Sequence, residues 1–194
     1  LTLSISPSLL AMLEDPLLQQ RYRDHLAALL RLAEAEQGRL GQDGHLRWLA
    51  GTYHALFAEA LAVFERHQGR LALPLRELHQ AGALELCTTS ATHGILPLLA
   101  AQPGAVEAQL VTGLDYFESV FGFRPRGFWL PECAWAPGLD ELLRAEGVRY
   151  VCVESRALEH ASATPLRGIH APLYAPAGVA CFARDQGSTK EVWS

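Results

Sequence analysis

From residue 82 onward the sequence alternates short apolar runs with helical patterns, and this order restricts the possible folds more than any other feature. Apolar runs cover residues 83–87, 127–130 and 148–153, and a helical pattern separates each run from the next. Strand, helix, strand, helix, strand is the order of parallel βαβ units, because parallel neighbours need a crossover connection that is usually a helix. The sequence therefore predicts an α/β fold with parallel strands.

Residues 16–80 show a different pattern, which predicts helices almost throughout. Ser6-Pro7 and Asp15-Pro16 each place a capping side chain directly before a proline, which is typical of a helix start. Two apolar stripes at helical spacing follow, at residues 18–33 and 46–64, so we expect an antiparallel pair of long helices. We interpret residues 16–80 as a mainly helical insertion. Five histidines in or beside it lack the spacing of paired metal ligands and are expected at the surface or between helices: His25, His45, His54, His67 and His79.

Both ends of the chain have strand-like patterns. The chain opens on Leu1 rather than Met, and Leu1, Leu3 and Ile5 alternate with polar residues. The Pro- and Gly-rich region after residue 165 contains two further strand patterns, at residues 178–184 and 190–193. Because the chain starts and stops inside such patterns, we expect it to be a piece of a longer polypeptide.

Glu132 is the strongest candidate for a catalytic residue. It follows the apolar run 127–130 and Pro131, and a proline cannot donate to a sheet ladder, so the strand is expected to end there. Ligands and catalytic groups of parallel α/β folds gather at the carboxyl ends of strands. A carboxylate at that edge, flanked by Trp129 and Trp135, is a candidate nucleophile or acid in a carbohydrate cleft. The alternative is a helix N-cap or a solvated loop residue.

His93 and Glu154 follow two other strand patterns and would converge with Glu132 in a barrel. His93 lies in a loop rich in Thr and Ser, where it either binds a sugar hydroxyl or fixes a carboxylate, or else caps the following helix. Glu154 is the weaker candidate, because a local ion pair with Arg156 would explain it equally well.

The tryptophans of this region allow both a core and a sugar-binding interpretation. Trp129 lies within a strand pattern and is expected in the core. Trp135 lies in a loop just beyond Glu132 and is the better candidate for stacking on a sugar ring. Trp193 lies near the chain terminus, where either role is possible.

Several classes of function lack the residues they need. The sequence contains no G-x-S-x-G elbow of a serine hydrolase, no phosphate-binding G-x-G-x-x-G or G-x-x-x-x-G-K motif, and no tight His/Asp cluster for a metal-dependent deacetylase. A formal net charge of −5 with scattered Lys and Arg disfavours nucleic acid as a partner. No apolar run is long enough to predict a membrane span. The spacing of the four cysteines favours buried thiols over disulfides or zinc, which fits the cytoplasm.

Two motifs resemble those of a known family. The segments AGALELCTTSATHGILPLL (81–99) and GFWLPECAW (127–135) are similar to the second and third motifs of glycoside hydrolase family 57. The opening SPSLLAMLED (6–15) and the closing FARD (182–185) and EVWS (191–194) resemble the 1,4-α-glucan branching enzymes within that family. The resemblance covers nearly the whole chain, so residues 1–194 are expected to form part of a family 57 catalytic domain.

The resemblance implies a retaining enzyme that acts on α-glucan of the amylose, glycogen or starch type, on an incomplete (β/α)7 barrel. Glu132 falls at the position of the nucleophile, His93 and Glu85 at positions that line or support the site, and Trp193 at a glucan-contacting aromatic. The reaction is expected to be a double displacement that needs no metal or organic cofactor. Branching is the expected outcome, with α-amylase or 4-α-glucanotransferase activity as the alternative within the family and non-catalytic glucan binding as the alternative outside it.

The chain also departs from the family pattern. The first family motif, which contains a histidine, would lie before Leu1, and the acid/base aspartate belongs to a motif that would lie beyond residue 194. Asp115, Asp140 and Asp185 do not match that motif, and Glu154 stands where relatives commonly carry Asp. We therefore expect the 194-residue chain to be inactive by itself.

Overall fold

The computed structural model describes residues 1–41, 43–162 and 165–193. The chain divides into two compact units, of which one comprises Leu1–Leu10 with His79–Ser194 and the other Ala11–Leu78. The first unit contains the sheet, and the second consists of helices. We describe each unit separately.

Among the described residues, the sheet of the first unit has six strands, and all but one of their pairings are parallel. The strands lie in the order β1-β2-β3-β4-β6-β5, and only β5 runs antiparallel to its neighbour β6. Helices follow the successive strands, as the βαβ interpretation requires, so the predicted α/β class with a parallel sheet is confirmed. The bounds of the strands are β1 Thr2–Ser4, β2 Glu85–Thr89, β3 Gly127–Trp129, β4 Tyr150–Glu154, β5 Leu173–Tyr174 and β6 Ala180–Arg184.

One face of this sheet is covered by helices and holds the apolar core. Strand residues Phe128, Val151 and Val153 are at most 1% exposed, and they belong to the same buried cluster as residues of α5, α6, α7 and α8. These helices are α5 Leu96–Leu99, α6 Ala105–Phe121, α7 Leu139–Ala145 and α8 Ser155–Glu159. Burial of this apolar surface fixes the strands and so the positions of the residues that follow them.

Helices occupy the part of the chain where the sequence predicted them. The first four are α1 Pro7–Glu14, α2 Pro16–Arg39, α3 Gly44–Arg66 and α4 Ala72–Gln80. Asp15 caps α2, since its carboxylate accepts from the Leu18 amide at 2.9 Å. Arg23 of α2 bonds Glu65 of α3 at 2.8 Å, so the start of one helix lies beside the end of the other and the antiparallel pair is confirmed. The interpretation of residues 16–80 as an insertion stays a prediction.

One predicted strand is wrong. Residues 190–193 belong to a helix, α9 Gln186–Trp193, rather than to a strand. The Asp185 carboxylate starts this helix by accepting from the amides of Gly187 and Ser188, at 3.0 and 3.4 Å, and from the Ser188 hydroxyl at 2.6 Å. These hydrogen bonds, chiefly that from Ser188, lower the pKa of Asp185. The capping interaction outweighs the strand-like pattern of the four residues 190–193.

Candidate functional site

The carboxyl ends of β2, β3, β4 and β6 form one edge of the sheet, and the predicted residues His93, Glu132 and Glu154 all lie at it. Thr89 of β2 pairs with Trp129 of β3, and Trp129 pairs with Cys152 of β4. At the end of β4, Glu154 pairs with Arg184 of β6. The structure brings His93 and Glu132 together, with 3.9 Å between His93 Nε2 and Glu132 Oε1. This pairing follows from the strand order, because β2 and β3 are direct neighbours.

Glu132 lies in an unusual backbone conformation directly after β3. Pro131–Cys133 form a single 3₁₀ turn in which Glu132 has φ +55° and Cys133 has φ +52°. Left-handed backbone is unfavourable for residues other than glycine, and it concentrates at functional sites where the surrounding structure enforces it. Cys133 is 1% exposed and anchors the turn, while 69% of the Glu132 side chain stays accessible. The buried Cys133 therefore fixes the backbone of the turn, and the Glu132 carboxylate points from it toward solvent.

His93 shares the left-handed conformation and faces the Glu132 carboxylate. Its φ is +58°, and its Nδ1 lies 3.5 Å from the Thr89 hydroxyl at the end of β2. The helix that follows is capped by Ile95 without a side-chain hydrogen bond, so the interpretation of His93 as a helix cap is wrong. At 3.9 Å from Glu132, the imidazole is placed to pair with the carboxylate when it is protonated.

Glu154 is held by protein groups rather than presented to a ligand. Its carboxylate accepts from Gln186 at 2.6 Å and from Arg184 at 2.7 Å. The alternative of an ion pair is therefore right in kind, but the partner is Arg184 and not the neighbouring Arg156. The hydrogen bond from Gln186, together with the charge of Arg184, lowers the pKa of Glu154. Sequence reasoning missed both partners, because they follow Glu154 by about thirty residues and no local pattern links them.

The three predicted tryptophans lie in different environments. Trp129 ends β3 half-buried, on the sheet face that it shares with Thr89 and Cys152. Trp135 is half-buried against the apolar core cluster. Trp193 lies on α9 and is 84% exposed. None of them is fully buried, so each keeps ring surface that a ligand can contact.

Glu85 lies at the opposite end of its strand from the other site residues. It begins β2, whereas Thr89 ends it, and four residues of strand span about 13 Å. The Tyr150 hydroxyl donates to its Oε1 at 3.5 Å, and the Tyr150 ring crosses directly over Gly127. A Cβ at Gly127 would lie 2.2 Å from that ring, which explains the glycine. The structure therefore does not bring Glu85 together with Glu132.

Three of the four cysteines, Cys87, Cys133 and Cys181, are buried, and Cys152 is partly buried. Burial raises the pKa of Cys87, Cys133 and Cys181 to about 11 and also raises that of Cys152. Within the described residues all four are free thiols, and no group of three or more His, Cys, Asp or Glu side chains is arranged to hold a metal ion. No helix in the described ranges has the length and apolar character to cross a membrane.

The chain has an α/β fold with an exposed carboxylate, Glu132, directly after a strand. The model of glycosyl hydrolase family 57 matches residues 5–190. The chain therefore belongs to glycosyl hydrolase family 57.

Relatives within the family act on α-glucans, according to their names. The chain is 28% identical to a 1,4-alpha-glucan branching enzyme of Thermococcus kodakarensis, with 100% of this chain and 32% of the relative aligned. Among solved structures it is similar to the alpha-amylase AmyC of Thermotoga maritima, with a TM-score of 0.89 and 36% identity over 100% of this chain and 38% of that one. It is also similar to the branching enzyme of Pyrococcus horikoshii, with a TM-score of 0.85 and 29% identity over 99% of this chain and 38% of that one. The chain spans about a third of the length of the curated relatives it matches.

Proposed function

We propose that this chain carries the nucleophile of a retaining 1,4-α-glucan branching enzyme, and that Glu132 is that nucleophile. The observation that carries the proposal is the exposed Glu132 carboxylate, held in a left-handed turn at the carboxyl end of β3 in a chain of family 57. The names of its relatives support an α-glucan as substrate.

In this reaction a Glu132 oxygen attacks the anomeric carbon of a 1,4-linked glucosyl unit. The bond from that carbon to the O4 of the next unit breaks, and O4 takes a proton from a carboxylic acid. The covalent glucosyl ester then reacts with the 6-hydroxyl of another glucan, whose proton returns to the same acid. A 1,6 branch forms and Glu132 is released. His93, 3.9 Å away, is placed to orient the Glu132 carboxylate for both steps.

Glu154 does not suit the role of acid. A general acid must hold its proton near neutral pH, and such carboxyls have raised pKa values. The hydrogen bond from Gln186 and the charge of Arg184 lower the pKa of Glu154 instead, so it stays ionised. We therefore assign the acid to a residue outside this chain, and we expect the 194-residue chain alone to turn over no α-glucan.

A fluorinated donor tests the nucleophile without the acid. In a 5-fluoro-α-glucosyl fluoride, the bond from the anomeric carbon to fluoride breaks without protonation of the leaving group. Attack by Glu132 should form a slowly hydrolysed glucosyl ester and release fluoride ion. Mass spectrometry of the chain and its peptides should then show one added fluoroglucosyl group on the peptide that contains Glu132.

Two variants make this labelling specific. Glu132→Gln should take up no label, whereas Glu59→Gln, which changes an exposed carboxylate on α3, should label as the unmodified chain does. Label on another residue, or a folded chain that takes up none, would contradict the assignment of Glu132.

Hydrolysis is the second candidate outcome, because the similarity to an alpha-amylase structure is at least as strong as that to branching enzymes. Proton NMR of amylose treated with the enzyme at its native length separates the two. New α-1,6 anomeric signals indicate branching, and new reducing ends without them indicate hydrolysis. The four free thiols, three of them buried, support our proposal of a reducing compartment such as the cytoplasm.

A further inference from the structure

A cavity of about 600 Å³ lies between three segments near the candidate site but is not lined by Glu132 or His93. Its walls come from the residues that follow the Glu132 turn, from α8 with the residues after it, and from β5 with the turn that leads to β6. Cavities of this size hold small organic ligands, and they are usually apolar with a few polar groups that fix orientation.

The apolar part of the wall offers flat surfaces. The half-buried Trp135 indole, the Tyr174 ring and the Pro176 ring all line the cavity, and Tyr174 is 75% exposed. Flat rings of this kind suit the C–H faces of pyranose sugars, since aromatic side chains bring large apolar area with a polar edge.

The polar part includes a buried carboxylate that is only half used. Asp140 is 4% exposed, and its Oδ2 accepts from the Ala177 amide at 2.8 Å. Its second oxygen, Oδ1, accepts no hydrogen bond from any described residue and is open to solvent. An accessible carboxylate oxygen forms strong hydrogen bonds with donors. A ligand hydroxyl in the cavity would supply that donor.

The charged groups of the cavity wall disfavour an anionic ligand. Asp140 and Glu141 line it together with His160, and among the described residues no Lys or Arg does. Phosphorylated sugars, nucleotides and other anions are therefore disfavoured by repulsion. A neutral molecule with many hydroxyls and apolar ring faces fits both the acidic groups and the aromatic wall.

We propose that this cavity is an accessory site for glucosyl units of an α-glucan, separate from the site of reaction at Glu132. The identity of the sugar rests on the proposed function, whereas the preference for a neutral polyhydroxylated ligand rests on Asp140 and the aromatic wall. Binding of one segment of a glucan here would hold the rest of the glucan near the protein while another segment reacts, which raises the local concentration of substrate.

Maltopentaose is the probe for this site, with isothermal titration calorimetry as the measurement. Tyr174→Ala should weaken binding about threefold to tenfold through loss of a stacking surface. Asp140→Asn, which can still accept from Ala177 but carries donors in place of an oxygen, should weaken it by about tenfold or more. Tyr53→Ala removes a tyrosine of 48% exposure from α3 in the other unit and is the matched control, with unchanged affinity expected.

A second readout does not depend on the stability of the variants. In ¹H–¹⁵N spectra the indole signal of Trp135, assigned by its loss in Trp135→Phe, should shift as maltopentaose is added. Equal affinity in all variants, an unmoved Trp135 signal, or no binding at all would overturn the accessory site. The labelling of Glu132 by a monosaccharide fluoride is a separate result, so failure of this inference and failure of the proposed function are distinguishable.

Discussion

Replacement of Gly113 by Ala tests how α6 fixes the strand end that carries His93. In an open helix, Ala stabilises by about 1 kcal/mol relative to Gly. Gly113, however, faces the end of β2, where an added Cβ would lie 2.6 Å from the Thr89 carbonyl oxygen and 3.1 Å from the Ala91 nitrogen. Both obstacles are backbone atoms, so no side-chain rotation relieves the clash and α6 must move away.

The displacement also strains the hydrogen bonds that join α6 to the loop before His93. Gln109 accepts from the Ala91 amide at 3.0 Å, and its side chain bonds the Thr92 amide and hydroxyl at 3.0 and 2.9 Å. Overpacking against rigid surroundings costs about 3 kcal/mol at the upper end of its usual range. After subtraction of the gain in helix propensity, we expect Gly113→Ala to lower the free energy of unfolding by about 2 kcal/mol.

Urea denaturation followed by circular dichroism measures this effect. With a slope of about 2 kcal/mol per molar, the midpoint of Gly113→Ala should fall by about 1 M. Gly51→Ala is the matched control, because Gly51 lies inside α3 with nothing within 4 Å of an added Cβ. Its midpoint should rise by about 0.5 M. If Gly113→Ala stabilises the chain as Gly51→Ala does, the close approach of α6 to the end of β2 is refuted.

Three further measurements follow from the electrostatics and the caps. The lowered pKa of Glu154 adds stability that is present above its unfolded value of 4.5 and is lost as the pH falls through the folded value. The loss of unfolding free energy in Glu154→Gln should therefore be largest near neutral pH and shrink in acid. A loss that does not change with pH would contradict the pairing with Arg184. Asp185→Ala should speed proteolysis within α9, while Asp24→Ala, on an exposed part of α2, should not. Burial raises the pKa of three thiols, those of Cys87, Cys133 and Cys181, to about 11. At pH 8 they should react with iodoacetamide about a hundredfold more slowly in the folded chain than after unfolding, and equal rates would refute their burial.

The sheet and most helices could be predicted from the sequence because their patterns are local. The apolar run before Glu132 ends at Pro131, and the apolar stripes of α2 and α3 repeat over many helical turns. In both cases the spacing of apolar residues and the residues that end the element predict the same structure. The final helix could not be predicted in this way. Residues 190–193 are too few to separate the two periods, and the deciding interaction is the Asp185 cap five residues earlier.

The site was predictable in part for the same reason. The meeting of His93 and Glu132 follows from strand order alone, since adjacent parallel strands end at one edge. The positions of Glu85 and Glu154 were less accessible to sequence reasoning. The predicted run 83–87 has Glu85 at its middle, whereas the observed strand lies two residues further on and begins at Glu85. The partners of Glu154 come from a segment about thirty residues away.

The carboxylates at this edge have been given different environments, and the difference explains why Glu132 is the candidate nucleophile. Glu154 alternates with the core residues Val151 and Val153 along β4, so it lies on the face of the sheet opposite to the apolar core. Glu154 is neutralised by Arg184 and bonded by Gln186, and the nearby Asp185 caps a helix. The Glu132 side chain is 69% exposed on a turn whose backbone is fixed, with His93 beside it. A nucleophile needs an oxygen that is free to form a bond, and the carboxylates of Glu154 and Asp185 are occupied by hydrogen bonds, which is why we propose Glu132 for this role.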